Sequence, residues 1–210
     1  MRYSFLISIV GLSFAACKQS PKGSNLAVDS TTVTVAVKDS GAKAEPVPAA
    51  KLIIPGKSIG QTQINENGAK VFKLLGRPDA GDAAMGKSLS IWYANHDTTS
   101  YQTMIFSTRQ MGTENEDSKV KQIRITSPWF STAKGIHVSS TLQQIKQHYT
   151  VEKSAMVTKK DGKYTIYKTN DGIAFETNAQ ENCTAIVVYD LTFQPGQTYL
   201  PFYDNIEPVK

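Results

Sequence analysis

Apolar residues recur along this chain in three different rhythms. A continuous run from Phe5 to Phe14 comes first, and at roughly ten residues it is about half the length needed to cross a bilayer. A long polar stretch follows, in which only Thr32-Val33-Thr34-Val35-Ala36-Val37 alternates like a strand. From Lys51 onward, short alternating runs dominate, interrupted twice by stripes at helical spacing. The first stripe is Val71, Phe72, Leu74 and Leu75; the second is Leu142, Ile145 and Tyr149. Asn67 predicts the N-cap of the first helix, and Gly76 followed by Arg77-Pro78 predicts its end. Thr141 predicts the second cap, with Gln144 three residues on completing a capping box. Both helices are short, so each must be held by packing on a sheet rather than by its own propensity.

Strands are predicted after each helix. Residues 88–94, 101–108 and 120–126 follow the first, and residues 155–159, 163–168, 172–177 and 184–189 follow the second. Asp161-Gly162 and Asn170-Asp171-Gly172 read as hairpin turns, because Asn, Asp and Gly accept the positive φ angles such turns need. The segment Ile64 to Leu75 aligns without gaps on Val138 to Tyr149. The expected fold class is therefore α+β, with two tandem repeats, each a short leading helix packed on an antiparallel sheet of three to four strands. Repeat one covers about 57–127 and repeat two about 133–192. The tail 193–210 carries Phe193, Tyr199, Phe202 and Tyr203, too many aromatics for a free end, and is expected to lie against the body as coil or an edge strand.

The amino-terminal run has the layout of an export signal: a cation at Arg2, an apolar core, small residues at Ala15 and Ala16, then Cys17. The motif resembles the lipobox of bacterial lipoproteins, with Phe14 where Leu is usual. Residues 1–16 are expected to be removed and Cys17 to be lipidated. The rival reading, ordinary secretion with cleavage after Ala15, would leave an exposed thiol at Cys17. Residues 18–50 contain no aromatic side chain and are rich in Lys, Ser, Ala, Thr and Pro. Such a segment reads as a flexible tether with a reach of roughly 30 Å, so residues 17–50 link the lipid to a domain spanning 51–210. The expected location is the bacterial cell envelope, at the outer membrane, with the domain in the periplasm.

The first helix, Asn67 to Leu75, with its Gly76-Arg77-Pro78-Asp79 exit and the later Trp92-Tyr93, resembles the SmpA/OmlA-type small lipoproteins of the outer-membrane assembly machinery. Two such units in tandem are similar in layout to the β-lactamase inhibitor protein. The resemblance implies a protein-binding or scaffolding module, not a catalyst. It departs from that family's Gly-Met-Thr helix start, with Glu66-Asn67-Gly68 here.

Chemistry-bearing residues are sparse. Cys183 leads into an apolar strand and reads as a partly buried small hydrophobe. Acylation of Cys17 would leave it no disulfide partner, so the fold would stand on its core alone. A nucleophilic role for Cys183 would want a histidine and an orienting acid beside it, and none of His96, His137 and His148 lies near it in sequence. No two His, Cys or acidic residues share one element at metal-ligand spacing. No cofactor is expected. The net charge of +5 is spread over scattered Lys and Arg, without the basic cluster and stacking aromatics of a nucleic-acid binder.

Alternation sorts the sheet faces. It places Leu89, Ile91 and Tyr93 inward with Trp92 outward, Ile123 and Ile125 inward with Arg124 outward, and Tyr189 outward beside them. Trp92, Arg124 and Tyr189 are thus the expected protein-binding residues, of the types that dominate interfaces. Trp129-Phe130 and His148-Tyr149 are expected in the core or at its rim. Together these readings describe a monomeric, non-catalytic lipoprotein, held to the membrane through lipid on Cys17, that binds another envelope protein. The alternative is an envelope small-ligand carrier or hydrolase whose polar residues converge only in three dimensions.

Overall fold

The first helix forms where its signals put it. In the computed structural model, α1 (Gly68–Leu75) begins after Asn67, whose side chain accepts from the Ala69 amide at 2.8 Å, and ends at Gly76 with φ 78°. The second, α2 (Leu142–His148), carries the full capping box: Thr141 accepts from the Gln144 amide, and Gln144 accepts from the Thr141 amide. The structure describes residues 46–112, 117–193 and 206–209, all within one compact unit, Ala44–Lys210. The signal at 1–16, the lipidation at Cys17, the tether up to residue 45, the alternating stretch 32–37 and most of the tail lie outside the described residues.

The expected α+β tandem repeat does not hold, because the chain is mostly β. Three short strands precede α1: β1 (Leu52–Ile54), β2 (Ser58–Ile59) and β3 (Thr62–Gln63). Four follow it: β4 (Ala80–Ala84), β5 (Lys87–Tyr93), β6 (Gln102–Arg109) and β7 (Ser118–Ile125). Then come β8 (Ser131–Thr132), α2, and β9 (Glu152–Lys159), β10 (Gly162–Lys168), β11 (Ile173–Thr177), β12 (Cys183–Tyr189) and β13 (Ile206–Pro208). These strands form two sheets. The larger has the order β13-β9-β10-β11-β12-β7-β6-β5-β4 and the smaller β3-β2-β1-β8.

Two physical reasons explain the correction. Helices of eight and seven residues are too short to cover a nine-stranded sheet, so the smaller sheet shares that work. The smaller sheet also belongs to neither supposed repeat alone, since β1, which precedes the first, pairs in parallel with β8, which lies between the two, Ile53 opposite Thr132.

The larger sheet is antiparallel at every junction and has a core on each face. On the helix side, Trp92, Ile105, Ile123, Ile125, Phe175 and Ile186 pack with Val71 and Ile145 of the helices and with Ile53 and Ile59 of the smaller sheet. On the other side, Ala155, Val157, Ile166, Ala174, Val187 and Tyr189 form a second cluster. A close approach of two backbones joins the sheets: the Gly56 amide donates to the Gly172 carbonyl at 3.1 Å. Gly172 has φ 81°, and a Cβ there would lie 2.7 Å from the Gly56 Cα, so only glycine fits. Of the first helical stripe only Val71 is buried, while Phe72, Leu74 and Leu75 remain exposed.

Candidate functional site

The three residues expected on one exposed face are all buried, and they do not share a face. Trp92 pairs with Thr103, which pairs with Ile125, so its ring points to the helix side. There the indole Nε1 donates to the Gly76 carbonyl at 3.2 Å, and the ring lies 6.1 Å from that of Phe72. Leu89, Ile91 and Tyr93 point the other way, the reverse of the alternation reading. The cause is that this sheet is apolar on both sides, so alternation alone does not tell inside from outside. Arg124 and Tyr189 do face away from the helices, yet both are buried there. Tyr189 donates its hydroxyl to the Thr169 carbonyl at 2.6 Å, and its burial, with Asp171 nearby, pushes its pKa up to about 12.

Arg124 belongs to a buried ionic network. Its Nη2 donates to Glu176 Oε2 at 2.9 Å and its Nη1 meets the Met104 sulfur at 3.3 Å. Lys159 donates to the second Glu176 oxygen, as does the Thr184 hydroxyl at 2.8 Å. A bulge between β11 and β12 leaves Thr184 unopposed and turns it toward the carboxylate. Burial alone would raise the pKa of Glu176, but Arg124 and Lys159 outweigh it and hold the carboxyl at about 2. Such a network fixes the register of β7, β11 and β9, and its carboxylate is fully satisfied.

The exposed apolar surface lies elsewhere, on the helix side, at the end of the larger sheet where β5 stops and β6 starts. A pocket of 460 Å³ opens there between Trp92, Tyr93, Tyr101, Trp129 and Phe130, with Gln102, Thr103 and Ser127 as neutral polar wall. A second cleft of 240 Å³ continues it past Phe130 and Thr103 to Leu74, Leu75, Ile59 and Ala50. Trp129 is 62% exposed and Tyr101 51%. Trp129 is held by a turn, its amide bonded to Ser127 Oγ at 3.2 Å, and by Lys51, whose ammonium stands 3.7 Å above the ring. Trp92 is the one expected site residue that borders this groove. The placement of Trp129 in the core or at its rim is also corrected: it follows Pro128 in a loop, and Ser127-Pro128-Trp129-Phe130 was the available signal, an aromatic pair just after a proline turn.

No protein-family model, curated protein or solved structure matches the chain, and nothing in these comparisons identifies an SmpA/OmlA domain or one like the β-lactamase inhibitor protein.

The titratable side chains are placed as follows. His96 Nδ1 lies 2.5 Å from Asp79 Oδ1, and the other Asp79 oxygen accepts from the Tyr93 amide at 2.8 Å. The Tyr93 amide and then His96 keep the Asp79 carboxyl below its ordinary pKa. The imidazole is exposed on a loop, held there by left-handed Asn95 and His96, and neither partner is among the residues lining the groove. His137 Nδ1 bonds the Val138 carbonyl at 2.6 Å, and the His148 side chain points to solvent. Cys183 is 2% exposed, and burial pushes its thiol far above the ordinary range, so it packs as a hydrophobe. Among the described residues no three His, Cys, Asp or Glu side chains gather as a metal site.

Proposed function

We propose that this chain is a lipid-anchored, non-catalytic binding module of the bacterial cell envelope. In this reading Cys17 carries the lipid, the tether leads to the domain, and the domain takes apolar side chains of an envelope protein into the Trp129 groove. The observation that carries the reading is the exposure of Trp129 and Tyr101 over a groove that continues to Leu74 and Leu75. Monomeric proteins seldom leave joined apolar surface of this kind open without a use for it. The residues lining the groove carry no carboxylate, imidazole or thiol, so they offer contact area rather than acid–base or nucleophilic chemistry. Aromatic anchors in a desolvated pocket are the typical source of binding energy at protein interfaces.

A photo-crosslinking amino acid in place of Tyr101, in the native lipidated protein, tests this. A discrete protein adduct that disappears in the Trp129→Ala background is the expected result. Adducts insensitive to Trp129→Ala would overturn the reading. One observation favours a second reading, a small-ligand carrier: 460 Å³ lies within the range of small-molecule sites. A small molecule co-purifying with the protein and lost in Trp129→Ala, with no protein adduct, would support it instead.

A further inference from the structure

The two ends of the larger sheet differ. At one end β13 closes the edge, with Pro208 in the last position. At the other end no described residue pairs with the outer side of β4, which is exposed over Ala80–Ala83 with Ala84 half-buried, and made almost wholly of small residues.

The hydrogen-bonding direction of β4 follows from its neighbours. The Ala94 amide donates to the Tyr101 carbonyl, and the Arg109 amide donates to the Gly86 carbonyl. The even-numbered residues of β5 therefore bond to β6, and the odd-numbered ones turn to β4. In the register Asp82 opposite Leu89 and Ala84 opposite Lys87, residues 80, 82 and 84 bond inward. The amides and carbonyls of Gly81 and Ala83 consequently face out from the sheet. Asp82 Oδ1 already accepts from the Ala83 amide at 2.7 Å, standing in for the missing strand. A Cβ on Gly81 would meet the Leu89 carbonyl at 2.3 Å, so glycine is required for β4 to lie this close to β5.

The geometry points to β4 as a strand-addition site for an extended segment of another protein, one that carries a Lys or Arg opposite Asp82 and apolar residues two positions to either side. An incoming strand bonded to Gly81 and Ala83 would place its central side chain directly across from Asp82 in a non-hydrogen-bonded pair, where side chains approach most closely. A cation there takes over the carboxylate as the Ala83 amide passes to the partner's carbonyl. Ala80 and Ala84 leave space beside Leu89 and Ile91, which share the Asp82 face and are half-buried, for the two apolar residues. A second copy of this chain fits less well: two-fold pairing of residues 81 and 83 sets Asp82 against Asp82, and like charges directly opposite are unfavourable. This surface is separate from the Trp129 groove and stands whether or not that groove binds protein.

The probes are two end-blocked peptides, Thr-Val-Thr-Lys-Thr-Val-Thr and its Glu-centred counterpart, added to the detergent-solubilised full chain. Hydrogen exchange over residues 80–84 is followed by mass spectrometry. The Lys peptide is expected to slow exchange there and to bind at least threefold more tightly than the Glu peptide. Asp82→Lys is expected to reverse that preference, and Ala83→Pro, which removes an outward amide, to abolish protection by either peptide. Absence of protection by both peptides, or a preference that Asp82→Lys leaves unchanged, would overturn the proposal.

Discussion

Glu176 and Arg124 meet across β12, carboxylate oxygen to guanidinium nitrogen at 2.9 Å, with both side chains buried. The pair joins strands that are 52 residues apart in sequence. Removing one partner would leave the other charge stranded in the interior. Glu176→Gln is therefore expected to cost about 3–5 kcal/mol. The double replacement Arg124→Met with Glu176→Leu is expected to cost much less, because Lys159 is 30% exposed and has a route to water. Urea unfolding of the three proteins measures both, and equal costs for the single and double variants would contradict this account.

The same carboxylate sets a pH dependence. Its pKa is about 2 folded against 4.5 for the free group, so the folded state favours the ionised form. For a depressed carboxyl the stabilisation is fully present above pH 4.5 and drains away as pH falls toward 2. Over that window the protein is expected to lose roughly 3 kcal/mol through this one group. Denaturant midpoints from pH 6 down to 2.5 read the loss, and the slope should flatten in Glu176→Gln.

Trp129 separates binding from stability. Its ring is mostly exposed and touches Lys51, a contact worth at most about 1 kcal/mol at such a site. Trp129→Ala is expected to unfold within about 1 kcal/mol of the unaltered protein while losing its crosslinks. A large fall in melting temperature would instead make Trp129 a structural residue.

Cys183 is expected to resist alkylation. Its thiol is buried and its pKa is raised, so the thiolate needed for reaction is scarce in the folded state. Iodoacetamide labelling should proceed only at the rate of unfolding and become fast in urea. Rapid labelling under native conditions would refute the packing described here.

Local signals were legible in the sequence and long-range ones were not. Asn67, Gly76, Thr141 and Gln144 act within one turn of themselves, and both helices follow from them. All seven strands read from composition are present, because each has enough alternating or β-branched residues to declare itself. The strand Ala80–Ala84 was silent, since Ala-Gly-Asp-Ala-Ala has no β propensity. So was the smaller sheet, whose two- and three-residue strands exist only through pairing with distant partners. That omission made two short helices look like half of the architecture.

The candidate site was less legible still. Trp92 is of an interface type, but alternation does not give its face in a sheet that is apolar on both sides. The contact that does, with the Gly76 carbonyl at the end of a helix, is 16 residues away. Arg124 looked like an exposed cation because its partner, Glu176, is remote in sequence. Trp129 reads as core from its residue type alone, although Pro128 before it marks the turn that lifts it outward.

The parallel pairing of Ile53 with Thr132 bears on how the molecule is made. During synthesis β1 emerges long before β8, so it has no lasting neighbour on that side until about half of the domain has followed. Closing so long a loop is slow, and folds dominated by distant pairings fold slowly as a class. The junction of β1 with β8 should therefore be the last part of the smaller sheet to order. A chain stalled before Ser131 would present the β8-facing edge of Leu52–Ile54, paired only with β2 on its other side, to chaperones and proteases.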